Sequence, residues 1–489
     1  MSRSRPRARQ GNRYARIKST LIRVVGAENF SDDFTAIPST HLETYADVTY
    51  NRVAMKNLKF VVSPRDVHQI CKIVKIASKN KMPVVPVGGS TTFYVSGGPV
   101  PRSKESIVID LRAMNKIIEL DKRSSTVTVE AGVTLKQLKK YLATANLWYS
   151  HYPESIESAT VGGAISLNGI SPFATKYGRG SEQFVKLKIV TADGTISEIG
   201  NKTQFDNSFM LTKLFSGSEG ALGIIAEATL KVRKMPATRI KKLYGFSNIE
   251  DACQTVKTIS EAGLCPEVVM VPSLERINNE AILTLSDINA KALDGREYFL
   301  FIIYAGEESI VRFSIEKTNS IVDTTGGSIV ADERIADSYW YNLTEIGAVV
   351  TQQMTQKFEG RKYNSGRPGV PLGTLPEFIR EVTKSIPNWS KLIYAGVTSY
   401  IFLPQLDAAP IFGLLLNDED QQAVMEFNQF IRKMAKLSKD LDGTLAAIVG
   451  LGTMLHELVK LEQGSSRKLA LAVKKSLDPD GLMNPGKAF

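Results

Sequence analysis

Residues 153–178 read PESIESATVGGAISLNGISPFATKYG. The stretch opens on a rigid proline, runs into Gly162-Gly163, passes Asn168-Gly169 and ends on Lys176-Tyr177-Gly178. Small side chains dominate it. Glycine has no Cβ, so its peptide N–H groups can approach a ligand closely. A segment of this texture suits a large, planar, phosphate-bearing cofactor better than a small metabolite.

A second stretch supplies the phosphate end. Val84-Val85-Pro86-Val87 reads as a strand and feeds Gly88-Gly89-Ser90-Thr91-Thr92. Such a turn offers consecutive backbone N–H groups and hydroxyls, the concavity a diphosphate needs. It is neither the G-x-G-x-x-G dinucleotide turn nor a P-loop, since no Gly-Lys-Ser/Thr follows. A plain glycine-rich turn is the competing reading. A third glycine-spaced passage, Gly217-Ser218-Glu219-Gly220-Ala221-Leu222-Gly223-Ile224, marks another place where backbone passes close to something.

Around these passages the periodicity alternates between strand and helix. Phe60–Val62, Ser106–Leu111, Thr126–Glu130, Val185–Val190 and Ile225–Val232 read as strands, and Ala192-Asp193-Gly194 turns one of them into a hairpin. A helix starts at Ser63-Pro64-Arg65-Asp66, with His68 off its apolar stripe. After Met235-Pro236 the glycine-rich loops thin out. Residues 237–441 alternate strands and helices as an α+β domain with helices on one face, and the chain ends in a helix followed by Asp478-Pro479-Asp480-Gly481-Leu482-Met483-Asn484-Pro485.

Length and composition bound the rest. A chain of 489 residues, 43% hydrophobic and 23% charged, has room for two or three globular domains. Its net charge is +11, and seven of those charges lie in Met1–Lys18, which holds no acid. The body is therefore only mildly basic, which argues against a nucleic-acid enzyme. Residues 1–40 read as an unstructured basic leader, or as a contact for an anionic membrane surface or an acidic partner. Three cysteines without a C-x-x-C argue against a disulfide framework, a zinc site or a built-in iron–sulfur cluster, so no metal is expected. The longest apolar run, Tyr298–Ala305, is too short to span a bilayer. These features together point to a cytoplasmic protein, peripheral to a membrane at most.

Taken in order, five strings resemble the FAD-linked oxidases, the vanillyl-alcohol oxidase or PCMH-type flavoproteins, and within them the D-lactate/glycolate/D-2-hydroxyglutarate dehydrogenase branch. They are PVVPVGGSTT, PESIESATVGGAISLN with KYG, LFSGSEGALGIIAEATL, RPGVPLGTLPEFIREV and SLDPDGLMNPGK. The resemblance implies an α+β chain: a bipartite PCMH-type FAD-binding domain over residues 41–236, an inserted ferredoxin-like cap over 237–441, and a C-terminal segment, 442–489, returning to the first domain. It implies non-covalent FAD. Val87, Gly88, Gly89, Ser90, Thr91 and Thr92 would hold the diphosphate. Pro153, Thr160, Gly162, Gly163, Ser166, Tyr177 and Gly178 would line the flavin and its ribityl chain. Glu219, Gly223 and Ile224 would lie against the adenine half or the ring, and Asn484 near the flavin edge. The implied partners are a small-molecule substrate and an electron-accepting protein or iron–sulfur subunit.

The departures from the family pattern fall on the chemistry. The His-x-Gly-Asp-Gly-Asn-x-His segment of the branch corresponds to Tyr394-Ala395-Gly396-Val397-Thr398-Ser399-Tyr400-Ile401, and its later His-Gly-x-Gly to Val449-Gly450-Leu451-Gly452. The arginine expected just after Trp340 is absent too. Oxidising a 2-hydroxy acid needs a hydride acceptor and a group to take the hydroxyl proton. His151, Tyr394 and His456 are the candidates this sequence offers for that proton, each with packing as the competing role.

Overall fold

The computed structural model describes residues 5–33, 58–91, 105–203, 209–280, 293–345, 356–448, 450, 455, 458–487 and 489. The leader differs from the sequence expectation, because Arg5–Val25 is a single helix, α1. Ile17, Leu21 and Val25 recur at i, i+4 and i+8 and are buried in the main core, so α1 packs on the next helix and on the first sheet. The run of cations drew attention away from this stripe. Of the described cations there, Arg13 and Arg16 are exposed and Lys18 pairs with Asp32 at 2.5 Å.

After α1, β1 (Phe30–Ser31) pairs antiparallel with β2 (Leu58–Val62). The helix α2 (Val67–Lys79) starts where the Asp66 carboxylate accepts the Gln69 N–H, an N-cap that satisfies one orphan donor. It leads to β3 (Val84–Val87), which lies parallel to β4 (Ser106–Asp110), itself parallel to β2. Pro86 fits β3 because that strand is at the edge of its ladder. Chain from the far end covers the edge: Val84 bridges Met483, and its N–H donates to the Leu482 carbonyl. The C-terminus thus returns to the first sheet.

The second sheet is antiparallel and holds β5 (Ile117–Asp121), β6 (Thr126–Glu130), β8 (Phe184–Val190), β9 (Ile196–Gly200) and β10 (Ile224–Lys231), in the order β5-β6-β10-β8-β9. Four pieces lie between β6 and β8 in the chain: α3 (Leu135–Ala143), β7 (Leu147–Trp148), α4 (Val161–Leu167) and α5 (Ala174–Tyr177). The opening sequence stretch therefore folds into two short helices and their loops.

A short helix, α6 (Leu211–Phe215), precedes β10, and β11 (Arg233–Lys234) after it pairs antiparallel with β7. From Thr238 a third, larger sheet forms. Its first half is β12 (Thr238–Phe246), α7 (Ile249–Glu261), β13 (Val268–Pro272), α8 (Leu274–Glu280), β14 (Tyr298–Gly306), α9 (Glu308–Thr324) and β15 (Ser328–Ile329). The strand order β15-β12-β14-β13, with β14 antiparallel between β12 and β13, is the split β-α-β arrangement of a ferredoxin-like unit. After α10 (Glu333–Thr344) come β16 (Lys362–Gly366), α11 (Leu375–Ser385), β18 (Ile393–Phe402), β19 (Asp407–Leu416) and α12 (Gln421–Asp440), with a short β17 (Val370–Pro371) at the margin. They extend the sheet as β13-β18-β19-β16. No described helix is long and apolar enough to cross a membrane.

Because Leu21 is wholly buried, Leu21→Ala should destabilise the protein by roughly 2–5 kcal/mol. Deleting residues 1–25 should lower the melting temperature further. A truncated protein that melts with the full chain would show that α1 adds nothing to the core.

Candidate active site

Four separate sequence motifs meet at the C-terminal end of β3. A Cβ added to Gly88 would fall 2.3 Å from the Thr160 hydroxyl, and one on Gly89 only 1.8 Å from the Ser158 carbonyl oxygen. These glycines therefore let the 88–91 turn press against the loop leading into α4. Their missing side chains face protein. Ser155 Oγ donates to Thr91 Oγ1 at 3.2 Å across the same junction. The Gly217–Gly223 passage closes in from behind: a Cβ on Gly220 would meet Pro86 at 2.6 Å, and the Glu219 N–H donates to the Ser166 carbonyl at 3.0 Å. Asn484 arrives last, donating through Nδ2 to the Glu219 carbonyl at 2.5 Å.

Two buried polar atoms at this junction have no hydrogen-bond partner among the described residues: Ser90 Oγ and Asn484 Oδ1. Native interiors rarely leave such groups unmatched, and a bound ligand or ion is a standard reason. Ser90 also sits at φ 51°, in the left-handed region that successive N–H groups of an anion-binding turn employ. A diphosphate-bearing cofactor fits these residues.

Other sequence candidates have different employment. The Gly162 N–H is spent on the Ala131 carbonyl, and its missing Cβ would strike the Ala131 side chain at 2.6 Å; it packs α4 on β6. The Thr160 hydroxyl caps α4 by accepting from the Gly163 N–H. Gly178, at φ 83°, ends α5. Gly223 lies tight against Phe215 and the Val190 carbonyl, and Ile224 is a core residue. A Cβ on Gly450 would come within 2.2 Å of Glu219 Oε1, so that carboxylate faces the C-terminal segment. Tyr177 turns to the third sheet: its hydroxyl donates to Glu267 at 3.1 Å, and Arg233 lies 4.6 Å over its ring. Thr92, Val449 and His456 lie outside the described residues.

The surface of the third sheet that meets this loop is polar and buried. Tyr400 of β18 donates to Glu154, next to Pro153, at 2.6 Å. Arg367, after β16, lies 3.6 Å from the same carboxylate and donates to Ser365 Oγ at 2.8 Å. The Tyr339 and Thr398 hydroxyls share a bond of 3.1 Å. Beside them Arg276 and Glu280, one turn apart on α8, form a buried ion pair, with Arg276 also donating to the Tyr363 hydroxyl. Burial raises the Tyr400 phenol well above its ordinary range, with Glu154 adding to it. Burial pushes the Glu280 carboxyl up as well, against the pull of Arg276.

Sequence reasoning missed this cluster. It searched for an arginine after Trp340; α10 offers Asn342, whose amide donates to the Glu280 carbonyl, and the guanidinium groups come from α8 and from the loop after β16. An Arg and a Glu at i, i+4 look like a solvated surface pair in a sequence. The one signal was Gly396, in the segment where histidines were expected. It sits at φ +97° in a β-bulge, and a Cβ there would strike the Arg276 backbone N at 2.4 Å. Tyr394 lies on the near side of that bulge, its phenol beside Ser273, Glu275 and Tyr298, and burial drives it upward. Such a phenol is a poor base. Among the described residues no three His, Cys, Asp or Glu side chains are grouped to hold a metal ion.

Comparison with known proteins agrees with this geometry. Residues 58–200 match the family described as FAD binding domain, and residues 235–488 the one described as FAD linked oxidases, C-terminal domain. A probable mitochondrial D-lactate dehydrogenase of Danio rerio is 29% identical over 443 residues, 88% of this chain and 84% of that protein. The glycolate oxidase subunit GlcD of Bacillus subtilis (strain 168) is 27% identical over 482 residues, 97% and 96% of the two chains. Among solved structures, p-cresol methylhydroxylase superposes with a TM-score of 0.77 at 15% identity, covering 98% of this chain and 97% of that one. An alkyldihydroxyacetonephosphate synthase gives 0.72 at 18%, covering 96% and 86%. FAD is the cofactor these matches share with the fit of the loops.

His151 is 1% exposed, and burial pushes its imidazole down to about 4. The folded state therefore binds fewer protons than the unfolded one between that value and the ordinary 6.5, and stability falls as pH drops through this window. Denaturant titrations at pH 7 and pH 5 should differ by roughly 2 kcal/mol on this account alone. His151→Gln should flatten that difference. An unchanged slope in the variant would show that the imidazole is charged, or solvated, in the folded protein.

Proposed function

The chain belongs to the FAD-linked oxidases, and from that premise we propose that it is an FAD-dependent oxidoreductase acting on a CH–OH carbon. The observation that carries the reading is the convergence of the 88–91 turn, the loop into α4, the 217–223 passage and Asn484 on one place, with Ser90 Oγ and Asn484 Oδ1 buried and unmatched there. Val87 to Thr91 would hold the diphosphate. Pro153, Thr160, Gly163 and Ser166 would border the ring system, with Asn484 at its edge. Bound there, FAD supplies the hydride acceptor that oxidation of an alcohol requires. The chain's own contribution is to exclude water through the polar face of the third sheet and to orient the substrate beside Glu154, Tyr400 and Arg367.

We propose further that the reaction does without the metal and imidazoles usual in the branch. Tyr394, Val397, Ile401 and Val449 stand where those groups would be; three cannot ligate a metal or accept a proton, and the fourth is a buried phenol. A second reading is a flavin-carrying subunit of a redox complex, served by an electron-accepting protein or an iron–sulfur subunit. The near full-length match to a protein named as a glycolate oxidase subunit favours it.

Two measurements check these readings. Acid or heat denaturation should release all the yellow colour, since the diphosphate loop has no His or Cys to bond the flavin; colour in the pellet would mean a covalent link. Stopped-flow flavin reduction under nitrogen with D-lactate, glycolate and D-2-hydroxyglutarate should be indifferent to zinc, manganese and EDTA. Rapid bleaching that EDTA abolishes would place metal ligands elsewhere in the chain. A flavin that no small alcohol reduces, in a protein that co-purifies with an iron–sulfur partner, would favour the subunit.

A further inference from the structure

The ion pair on α8 is incomplete. Arg276 is 2% exposed, and its guanidinium gives one nitrogen to Glu280 and one to Tyr363. Its Nε is buried with no partner among the described residues, and so is Oε2 of Glu280, the oxygen that Arg276 does not use. Burying a charged donor and a charged acceptor without partners is costly. The two lie one helical turn apart, about 5–6 Å between their Cβ atoms. The pair is also deliberately seated. The Gly396 bulge admits the helix backbone, and a Cβ on Gly413 would crowd Arg276 Nη1 at 3.0 Å and the Tyr363 hydroxyl at 3.1 Å. Glu154, beside Pro153, acts electrostatically on both Arg276 and Glu280, which places the pair at the junction already described.

What completes such a pair would carry two groups: an anionic acceptor for the Arg276 Nε–H and a donor for Glu280 Oε2. A carboxylate with a hydroxyl on the adjacent carbon has both. We propose, resting on the oxidoreductase reading above, that Arg276 and Glu280 are the substrate clamp of this site, Arg276 donating to the carboxylate of a small 2-hydroxy acid and Glu280 accepting from its hydroxyl. This assigns recognition to α8, with Tyr363 orienting the guanidinium and Arg367 tying Glu154 to the same face.

Three matched probes separate the two halves of the clamp: D-lactate, propionate, which lacks the hydroxyl, and propane-1,2-diol, which lacks the carboxylate. Dissociation constants are read on the full FAD-loaded chain from the ligand-dependent rise in melting temperature, independently of turnover. D-lactate should bind at least tenfold tighter than either fragment. Arg276→Lys should weaken D-lactate and propionate by tenfold or more and leave the diol alone. Glu280→Gln should weaken D-lactate and the diol and leave propionate alone. A merely structural pair would weaken all three probes alike in both variants, and that outcome overturns the proposal, as does unchanged D-lactate binding in both. Should Arg276→Lys fail to fold, Tyr363→Phe, which removes only the hydroxyl that orients the guanidinium, carries the carboxylate arm. Full FAD occupancy with no D-lactate binding at tens of millimolar would overturn the clamp and spare the flavin reading. Failure to bind FAD at all would sink the flavin reading itself.

Discussion

Glu267 is the hinge pin of this molecule. It is fully buried at the start of β13 and accepts both Nε and Nη2 of Arg239, at 2.6 and 3.0 Å, and the Tyr177 hydroxyl. Arg239 belongs to the third sheet and lies 4.5 Å over the Trp148 ring of the N-terminal part. One carboxylate thus joins the two halves of the chain. Taking it out of water is unfavourable, and the bidentate pair with a third hydrogen bond offsets that cost. Removing one partner of such a pair costs about 3–5 kcal/mol, because the other charge is stranded. Thr175 reinforces the joint, donating to the Ile401 carbonyl at 2.7 Å and accepting from the Val269 N–H at 3.0 Å. Thr175 and Tyr177 both come from the end of the 153–178 stretch, so that segment is held by the third sheet.

That coupling explains why the glycines cluster as they do. The 88–91 turn, α4 and the 217–223 passage must approach within backbone contact of one another, and α8 must approach β18 at Gly396 in the same way. Close packing without side chains is a matter of space, and it is achieved twice: once where the 88–91 turn meets the loop into α4, once to seat a buried arginine.

The polar face between the halves is costly by the same physics. Arg276, Glu280, Arg367, Glu154, Tyr363, Tyr339 and Tyr400 lie together with little water access. Low dielectric strengthens each satisfied bond and penalises each unsatisfied one. A network of this kind is stable when complete.

Much of this was legible in the chain alone. The order of the glycine-rich strings pointed to the cofactor class and the two-part architecture, because a cofactor's phosphates and rings demand close backbone at fixed points whatever surrounds them. The helix α2 followed from its start at Asp66, and the alternation of strands and helices after residue 237 from periodicity. The helical leader was hidden by its cations, although Ile17, Leu21 and Val25 carry the stripe. Tyr177 and Glu219 sat in the right strings, yet their side chains went to Glu267 and the C-terminal segment, since a motif specifies backbone shape more tightly than the direction of each side chain. Only the tertiary structure decided which charges are buried. Arg276 and Glu280 have the spacing of an exposed helical pair, and it is the β18 bulge and the Gly413 gap, far away in sequence, that bury them against Tyr363.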